Sequence, residues 1–322
     1  MGFLRALLKG LGCLWARARM RKRELDELRT LLYHVLPPEL RGRVLEARWA
    51  DRKPECEPLD LRNPRTFCEK MQALKLVAGT PLLSKLADKY AVREWVAETV
   101  GERYLIPLVG VWSSVNEIDF KSLPQRFVFK ATHGSHWNII VRDRSRLDVH
   151  AAKVEMAEWL RTNFAFKARF QMQYASIIPR ILAEDYLENA AGELYDYKFW
   201  CFRGEVRYIQ FMSGRGNDLR TVFFDTDWRP QPFTYNREML IGALPPKPEN
   251  LRAMIDVATR LSAGFEFVRV DLYRLDNGTV KFGEMTFTPA NGFGNWNPPE
   301  WDEKIGALFD VRPGNRMEGV SA

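Results

Sequence analysis

Histidine and cysteine are scarce in this chain of 322 residues, with four of each. The cysteines, Cys13, Cys56, Cys68 and Cys201, form no C-x-x-C pair. Neither a zinc site nor a disulfide framework is indicated, and scattered thiols fit a reducing compartment. No G-x-x-x-x-G-K-[ST] loop and no G-x-S-x-G elbow occurs, so a P-loop and a hydrolase nucleophile are excluded. There is no internal repeat and no low-complexity tract. Apolar runs fall short of the roughly 20 residues that a spanning helix needs. Acids are missing from residues 1–23, which hold Arg5, Lys9, Arg17, Arg19, Arg21, Lys22 and Arg23. Beyond that segment the charges nearly balance. The net +7 is therefore local, and with no DNA- or RNA-binding motif beside it, nucleic acid is not an expected partner.

The composition itself is that of an ordered protein: 46% hydrophobic and 28% charged residues, with ten Trp and twenty Phe. Such a length accommodates two or three lobes with substantial cores. Residues 2–20 place Phe3, Leu4, Leu7, Leu8, Leu11, Leu14 and Trp15 on one helical face, ahead of the basic run. Two readings stand for it: a helix lying on an anionic membrane surface, or one packed on the body or a second subunit. Residues 24–50 read as helix and then loop, broken at Pro37-Pro38, and 51–64 as a linker. Helical periodicity follows over 65–77 and 91–100, with Asp88 as a candidate N-cap. Short strands are expected at 105–111, 126–131, 137–141, 180–187, 196–202, 205–212 and 221–225. Helices are expected at 151–165, 249–263 and 298–308.

One stretch, FVRVDLYRLDNGTVKFGEMTFTPANG at 267–292, organises the rest. It reads as two strands, 267–273 and 279–285, joined at Asp276-Asn277-Gly278, whose Asn-Gly pair favours a tight hairpin. Asp271 and Glu284 then stand at matching heights. Burying two carboxylates alone is costly, and a divalent cation such as Mg²⁺ would offset that cost. The plain alternative has them facing solvent or paired with Arg269 and Lys281. Upstream, Lys130 lies on a strand before a Gly134-Ser135 turn whose N–H groups can cradle phosphate. His133 and His136 flank this turn. An apolar strand ends in the acids Glu184, Asp185 and Glu188. The strand 196–202 puts Asp196, Lys198 and Trp200 on one face, which lines a cleft if it faces inward. On that reading Lys198 is a candidate catalytic residue and Asp196 a candidate nucleotide contact.

Taken in order, LSKLADKYAVREWV, FVFKATHGSHWN, AEDYLE, DYKFWCF and GEMTFTPANG resemble the ATP-grasp superfamily. They are most similar to its TupA-like branch, the ATP-grasp proteins of bacterial polysaccharide and teichuronopeptide gene clusters. The likeness spans roughly residues 60–310. It implies an α+β, ATP-grasp fold in which two α+β lobes sandwich the nucleotide, with an N-terminal helical extension. The segments would be a basic extension over 1–50, a helical lobe over 51–125, a small ATP-grasp subdomain over 126–190 and a large one over 191–322. It further implies ATP and Mg²⁺ as cofactors. Lys89 and Lys130 would meet the phosphates, while Glu184 and the Leu187 backbone would meet the adenine. Asp271 and Glu284 would hold the metal, and Arg269 would neutralise developing charge. Many ligases of the superfamily continue as E-x-N, whereas here Thr286 takes that place, and Thr286 or Asn291 is the candidate third ligand.

The chemistry so implied joins a carboxylate to an amine through an acylphosphate. Small-molecule or polysaccharide-linked substrates are expected, in the cytoplasm or at the inner face of the cytoplasmic membrane. Three rival readings remain at this level. Asp225-Thr226-Asp227 matches the D-x-D signature of many glycosyltransferases, although a turn explains it equally. A scaffolding protein without catalysis is the second rival, and a phosphotransferase the third.

Overall fold

The computed structural model describes residues 36–168, 170–190, 194–214, 219–239, 244–312 and 315–317. The amphipathic segment 2–23 lies outside them. The first described helix, α1 (Pro38–Arg52), corrects the expectation of a loop after Pro37-Pro38. Proline at the first helical position lacks only an N–H that would have no partner there, so this pair starts a helix where it was read as ending one. Helix α2 (Phe67–Val77) follows, closed by a capping box in which the Thr66 side chain accepts from the Glu69 N–H and the Glu69 carboxylate accepts from the Thr66 N–H. Then come α3 (Pro81–Ala87), started by Thr80 and Pro81, and α4 (Val92–Thr99). Asp88 accepts from the N–H groups of Tyr90 and Ala91 and so caps the turn ahead of α4. Among the described residues no helix is long and apolar enough to cross a membrane.

Two antiparallel sheets carry the rest. The smaller is built from β1 (Leu108–Trp112), β2 (Phe127–Ala131), β3 (Asn138–Val141) and β4 (Ile181–Asp185), in the order β1-β4-β2-β3. Helix α5 (Val149–Leu160) covers it through Ala152, Met156 and Trp159, which pack on Phe127, Phe129, Ile181 and Ala183. The short α6 (Phe164–Lys167) leads away from it.

The larger sheet contains β5 (Asp196–Phe202), β6 (Glu205–Ser213), β7 (Arg220–Phe224), β9 (Phe267–Arg274) and β10 (Val280–Thr286), in the order β10-β9-β5-β6-β7. A two-residue ladder pairs β8 (Thr234–Tyr235) with β11 (Trp296–Asn297). Successive strand residues point to opposite faces. On one face Phe199, Cys201, Val268, Val270 and Leu272 bury against α7 (Leu251–Ser262), whose Met254, Val257, Ala258 and Leu261 recur at helical spacing. On the other, Trp200, Phe202 and Phe267 pack around Phe67 of α2, with Tyr235, Trp296 and Phe309 within 6.0 Å of its ring centre. The short α8 (Trp301–Gly306) closes this layer.

Candidate active site

The aromatic face of the large sheet changes character along its strands. Phe202 pairs with Phe267, then Trp200 with Arg269, Lys198 with Asp271 and Asp196 with Tyr273. The residues of β5 and β9 that pack on α2 at one end therefore become charged at the other, on the same face. Strand β10 joins them only through an irregularity. Phe282 pairs with Leu272, yet Glu284 pairs with Asp271 and Thr286 with Arg269. In a regular strand Phe282 and Glu284 would share a face. The extra residue, Gly283, is a β-bulge that leaves Phe282 in the core under α7 and turns Glu284 toward Asp271. Glycine suits this position because a Cβ there would sit 3.0 Å from the Asp271 carbonyl oxygen and 3.2 Å from the Tyr273 ring.

Contacts among these groups are short. The Arg269 guanidinium donates twice to Asp271, at 2.6 and 2.7 Å, and also reaches Glu284 at 3.3 Å and Thr286 Oγ1 at 3.0 Å. Lys198 Nζ donates to Asp271 Oδ2 at 2.5 Å and lies 4.0 Å from Asp196. Thr286 Oγ1 donates to Glu284 at 3.0 Å. Lys89, carried by the turn after α3, binds this sheet to the smaller one. Its N–H donates to the Thr132 carbonyl, its Nζ to the Gly134 carbonyl at 2.5 Å, and Glu284 lies 3.8 Å away.

A cleft opens between the sheets, lined by Lys89, Arg93, Ile106, Lys130, Glu184 and Gly283. On its smaller-sheet wall Lys130 of β2 and Glu184 of the adjacent β4 pair at 2.7 Å, and Arg93 of α4 takes the other Glu184 oxygen at 3.0 Å. The segment after β4 is stitched to the hairpin tip of the large sheet. Asn189 Oδ1 accepts from the Asp276 N–H, and Asp276 accepts from the Ala190 N–H at 2.7 Å. Leu187 is half-buried in that segment.

Charge sets the protonation of each group. Burial would raise the Glu284 carboxyl, but Lys89, Arg269 and Lys198 pull it down to about 2. Burial opposes charge on Lys130 and on Lys198 as well. The Glu184 carboxylate in one case, and Asp271 with Asp196 in the other, outweigh it and leave both ammonium groups above their ordinary value. Arg269 is likewise raised against its burial by Asp271. Lys89 behaves differently: burial prevails over Glu284 and holds it below its usual value. This is the lysine of the three that an incoming polyanion would stabilise most.

The structure brings Lys89, Lys130, Glu184, Asp196, Lys198, Arg269, Asp271 and Glu284 to one cleft and its floor. Both Glu184 oxygens are engaged by cations, one by Lys130 and the other by Arg93. Of the two candidates for a third ligand, Thr286 contacts Glu284. Asn291 turns away to donate to the Ala168 carbonyl at 2.7 Å. Among the described residues no three His, Cys, Asp or Glu side chains gather as a metal cage. Two carboxylates and a hydroxyl are nonetheless the oxygen donors that Mg²⁺ takes when phosphates and water complete its shell, so the donor set fits. Lys89, Lys130 and Arg269 fit the polyphosphate.

His133 is buried against Trp137 and hydrogen-bonded to the Trp159 carbonyl at 2.9 Å, while His136 bonds Ser135. Asp225 accepts from the N–H groups of Asp227 and Arg229, and Asp227 pairs with Arg229. The D-x-D pattern thus builds a turn. Two participants escaped sequence reasoning. Arg93 sits inside the YAVREWV string but reads as a surface position of an amphipathic helix. Tyr174, whose phenol is pushed up by burial and by Glu284, carries no local signal.

Known structures of similar shape include a D-alanine–D-alanine ligase from Bacillus anthracis, at 15% identity and a TM-score of 0.40, covering 66% of this chain and 61% of that one. N5-carboxyaminoimidazole synthetase from Staphylococcus aureus in complex with ADP aligns at 12% identity and a TM-score of 0.39, over 64% and 46%. D-cycloserine synthetase DcsG aligns at 15% identity and 0.38, over 76% and 74%. The chain thus spans less than two thirds of the length of the first two. No curated protein matches it. The sequence profile described as TupA-like ATP-grasp matches residues 69–310, three quarters of the chain, with Lys89, Lys130, Asp271 and Glu284 all inside it. The chain belongs to the TupA-like ATP-grasp family.

Proposed function

We propose that this protein is an ATP- and Mg²⁺-dependent carboxylate–amine ligase that acts through an acylphosphate on cell-surface polysaccharide or its precursors. The observation that carries this reading is the shared sheet face. Asp271, Glu284, Arg269 and Lys198 stand on it, opposite Lys89 and Lys130, in a chain of an ATP-grasp family. In this assignment Lys89 and Lys130 hold the phosphates, and the cleft beside Glu184 and the Leu187 backbone takes the base. Asp271 and Glu284 hold Mg²⁺, with Thr286 beside them. When bound, the metal supplies positive charge at the phosphate oxygens. Arg269 and Lys198 neutralise charge that grows as the substrate carboxylate accepts the phosphoryl group, and again as the amine adds to the carbonyl. No protein nucleophile is required.

The remaining expectations are also proposals. Residues 1–50 form a basic extension ahead of the 51–125 lobe and the subdomains 126–190 and 191–322. Its first 23 residues hold the enzyme to anionic lipid at the inner face of the cytoplasmic membrane. The test is release of ADP and phosphate with uronic acids and amino acids screened in pairs. Release that requires both a carboxylate and an amine supports the reading. A phosphorylated product without an amide points to a phosphotransferase, and tight Mg-ATP binding with no release for any pair refutes it.

A further inference from the structure

Lys89, the lysine given to the phosphates, stands in a short turn, and one arginine holds the residues on both sides of it. Arg180 precedes β4, and its Nη2 donates to Asp88 Oδ2 at 2.7 Å. The same guanidinium lies over the Tyr90 ring, 4.6 Å from its centre. The anionic end of this grip is buried, since Asp88 is 4% exposed. Both Asp88 oxygens are in use. Oδ1 accepts from the Tyr90 and Ala91 N–H groups, at 2.8 and 3.2 Å, which leaves Oδ2 for Arg180. A planar guanidinium can donate in its plane and stack through its face at once, and a lysine ammonium cannot.

The arginine is itself fixed to the smaller sheet. Its N–H donates to Thr132 Oγ1 at 3.3 Å, and its carbonyl accepts from the Thr132 N–H at 3.0 Å. The Thr132 carbonyl accepts from the Lys89 N–H at 3.1 Å. Thr132 directly follows β2, two residues beyond Lys130. A second ion pair ties the same segment to the far end of β4, where Arg93 meets Glu184 at 3.0 Å. Residues 88–93 are thus pinned along β4 at both ends, by Asp88 to Arg180 and by Arg93 to Glu184. Lys89 arrives from α3, yet these contacts make it part of the sheet that carries Lys130. A lysine has a long flexible stem, so fixing its backbone is what limits where its ammonium can reach.

We propose that Arg180 is a positioning residue for nucleotide binding. It acts through Asp88 and Tyr90 to hold Lys89 at a set distance from Lys130, so that both ammonium groups meet one polyphosphate. This rests on the phosphate role given to Lys89 above and adds the part that sets its place.

The test is a double-mutant cycle on the full chain, with Mg-ATP affinity measured by calorimetry. Arg180→Met keeps the stem, removes both grips and weakens binding about tenfold, the scale of loss that a small misplacement brings. Arg180→Lys, which keeps the ion pair and gives up the stacking, falls between that variant and wild type. Asp88→Asn still accepts from the two N–H groups but no longer holds Arg180 by charge, and it weakens binding to a similar degree. In a Lys89→Met background neither Arg180→Met nor Asp88→Asn weakens binding further, because the group they place is gone. Losses of equal size with and without Lys89 would mean that Arg180 meets the nucleotide itself or only supports the fold, and would overturn the proposal. Wild-type affinity in Asp88→Asn would overturn it too, since Arg180 would then do no more than cancel a charge. A merely structural Arg180 would lower the melting temperature of Arg180→Met and leave its Mg-ATP affinity alone. If Lys89→Met binds Mg-ATP as wild type does, the phosphate role of Lys89 falls and the proposal falls with it. A loss in Lys89→Met beside an unaffected Arg180→Met sinks the proposal alone.

Discussion

Asp271 and Glu284 are both assigned to the metal, yet their removal should have different costs to the fold. Asp271 is 2% exposed and accepts three charge-assisted hydrogen bonds, two from Arg269 and one from Lys198. The change Asp271→Asn keeps the shape, removes the charge and turns an N–H₂ group toward one of these donors. Two cations whose side chains are only 13% and 14% exposed then lose their main partner. Breaking a buried pair in this way costs about 3–5 kcal/mol. Glu284 is 33% exposed on its side chain, and its ionic contacts are longer, at 3.3 and 3.8 Å. Solvent screens these in part, so Glu284→Gln should cost less, about 1–2 kcal/mol. With a urea slope of about 3 kcal/mol/M, the midpoint should fall by more than 1 M for the first variant and by a few tenths for the second. Tryptophan fluorescence reads the transition, since Trp200 and Trp296 sit in the aromatic layer of the same sheet. Mg-dependent ADP release should fall to background in both. Equal destabilisation by the two, or a stable Asp271→Asn, would show that the Arg269–Asp271–Lys198 cluster does not hold the sheet together and would refute the reasoning.

Further outcomes follow from the same geometry. The folded Glu284 carboxyl, at about 2, lies below its ordinary 4.5. Its stabilisation is therefore complete above about 4.5 and fades as pH falls from there through about 2. Wild type should lose more stability between those limits than Glu284→Gln does, as read from urea midpoints; parallel curves would refute this. Lys89→Met should weaken Mg-ATP binding at least tenfold in calorimetry while costing little stability, because burial already disfavours that charge. Phe67→Ala, at the centre of five aromatic contacts, should cost about 3–5 kcal/mol. Deleting residues 2–23 should abolish sedimentation with anionic vesicles and leave ADP release intact; unchanged sedimentation would remove the membrane assignment.

Much of this was legible in the chain because strand parity is local. Alternation in 196–202 placed Asp196, Lys198 and Trp200 on one face, and the Asn-Gly turn paired the two strands that carry Asp271 and Glu284. What stayed hidden depended on tertiary context. The bulge at Gly283 has no signature apart from a glycine in a strand. Arg93 becomes a site residue only because the smaller sheet delivers Glu184 to it from 91 positions away. Pro37-Pro38 misled for the opposite reason, since the same local rule that stops a helix also starts one.

The bulge makes the spacing between Phe282 and Glu284 a matter of odd and even. Residues gained or lost at the hairpin tip, around Asp276–Gly278, leave the phase of β10 untouched and should be tolerated. A ladder that ran regularly through Gly283 would rotate every later side chain of the strand by half a turn. Glu284 would then point into the α7 core opposite Val270, and Gly283 would take its place beside Asp271. One unpaired glycine thus sets the frame of the strand: closing the bulge with the residue retained loses the carboxylate pair, whereas losing the residue itself keeps Glu284 level with Asp271.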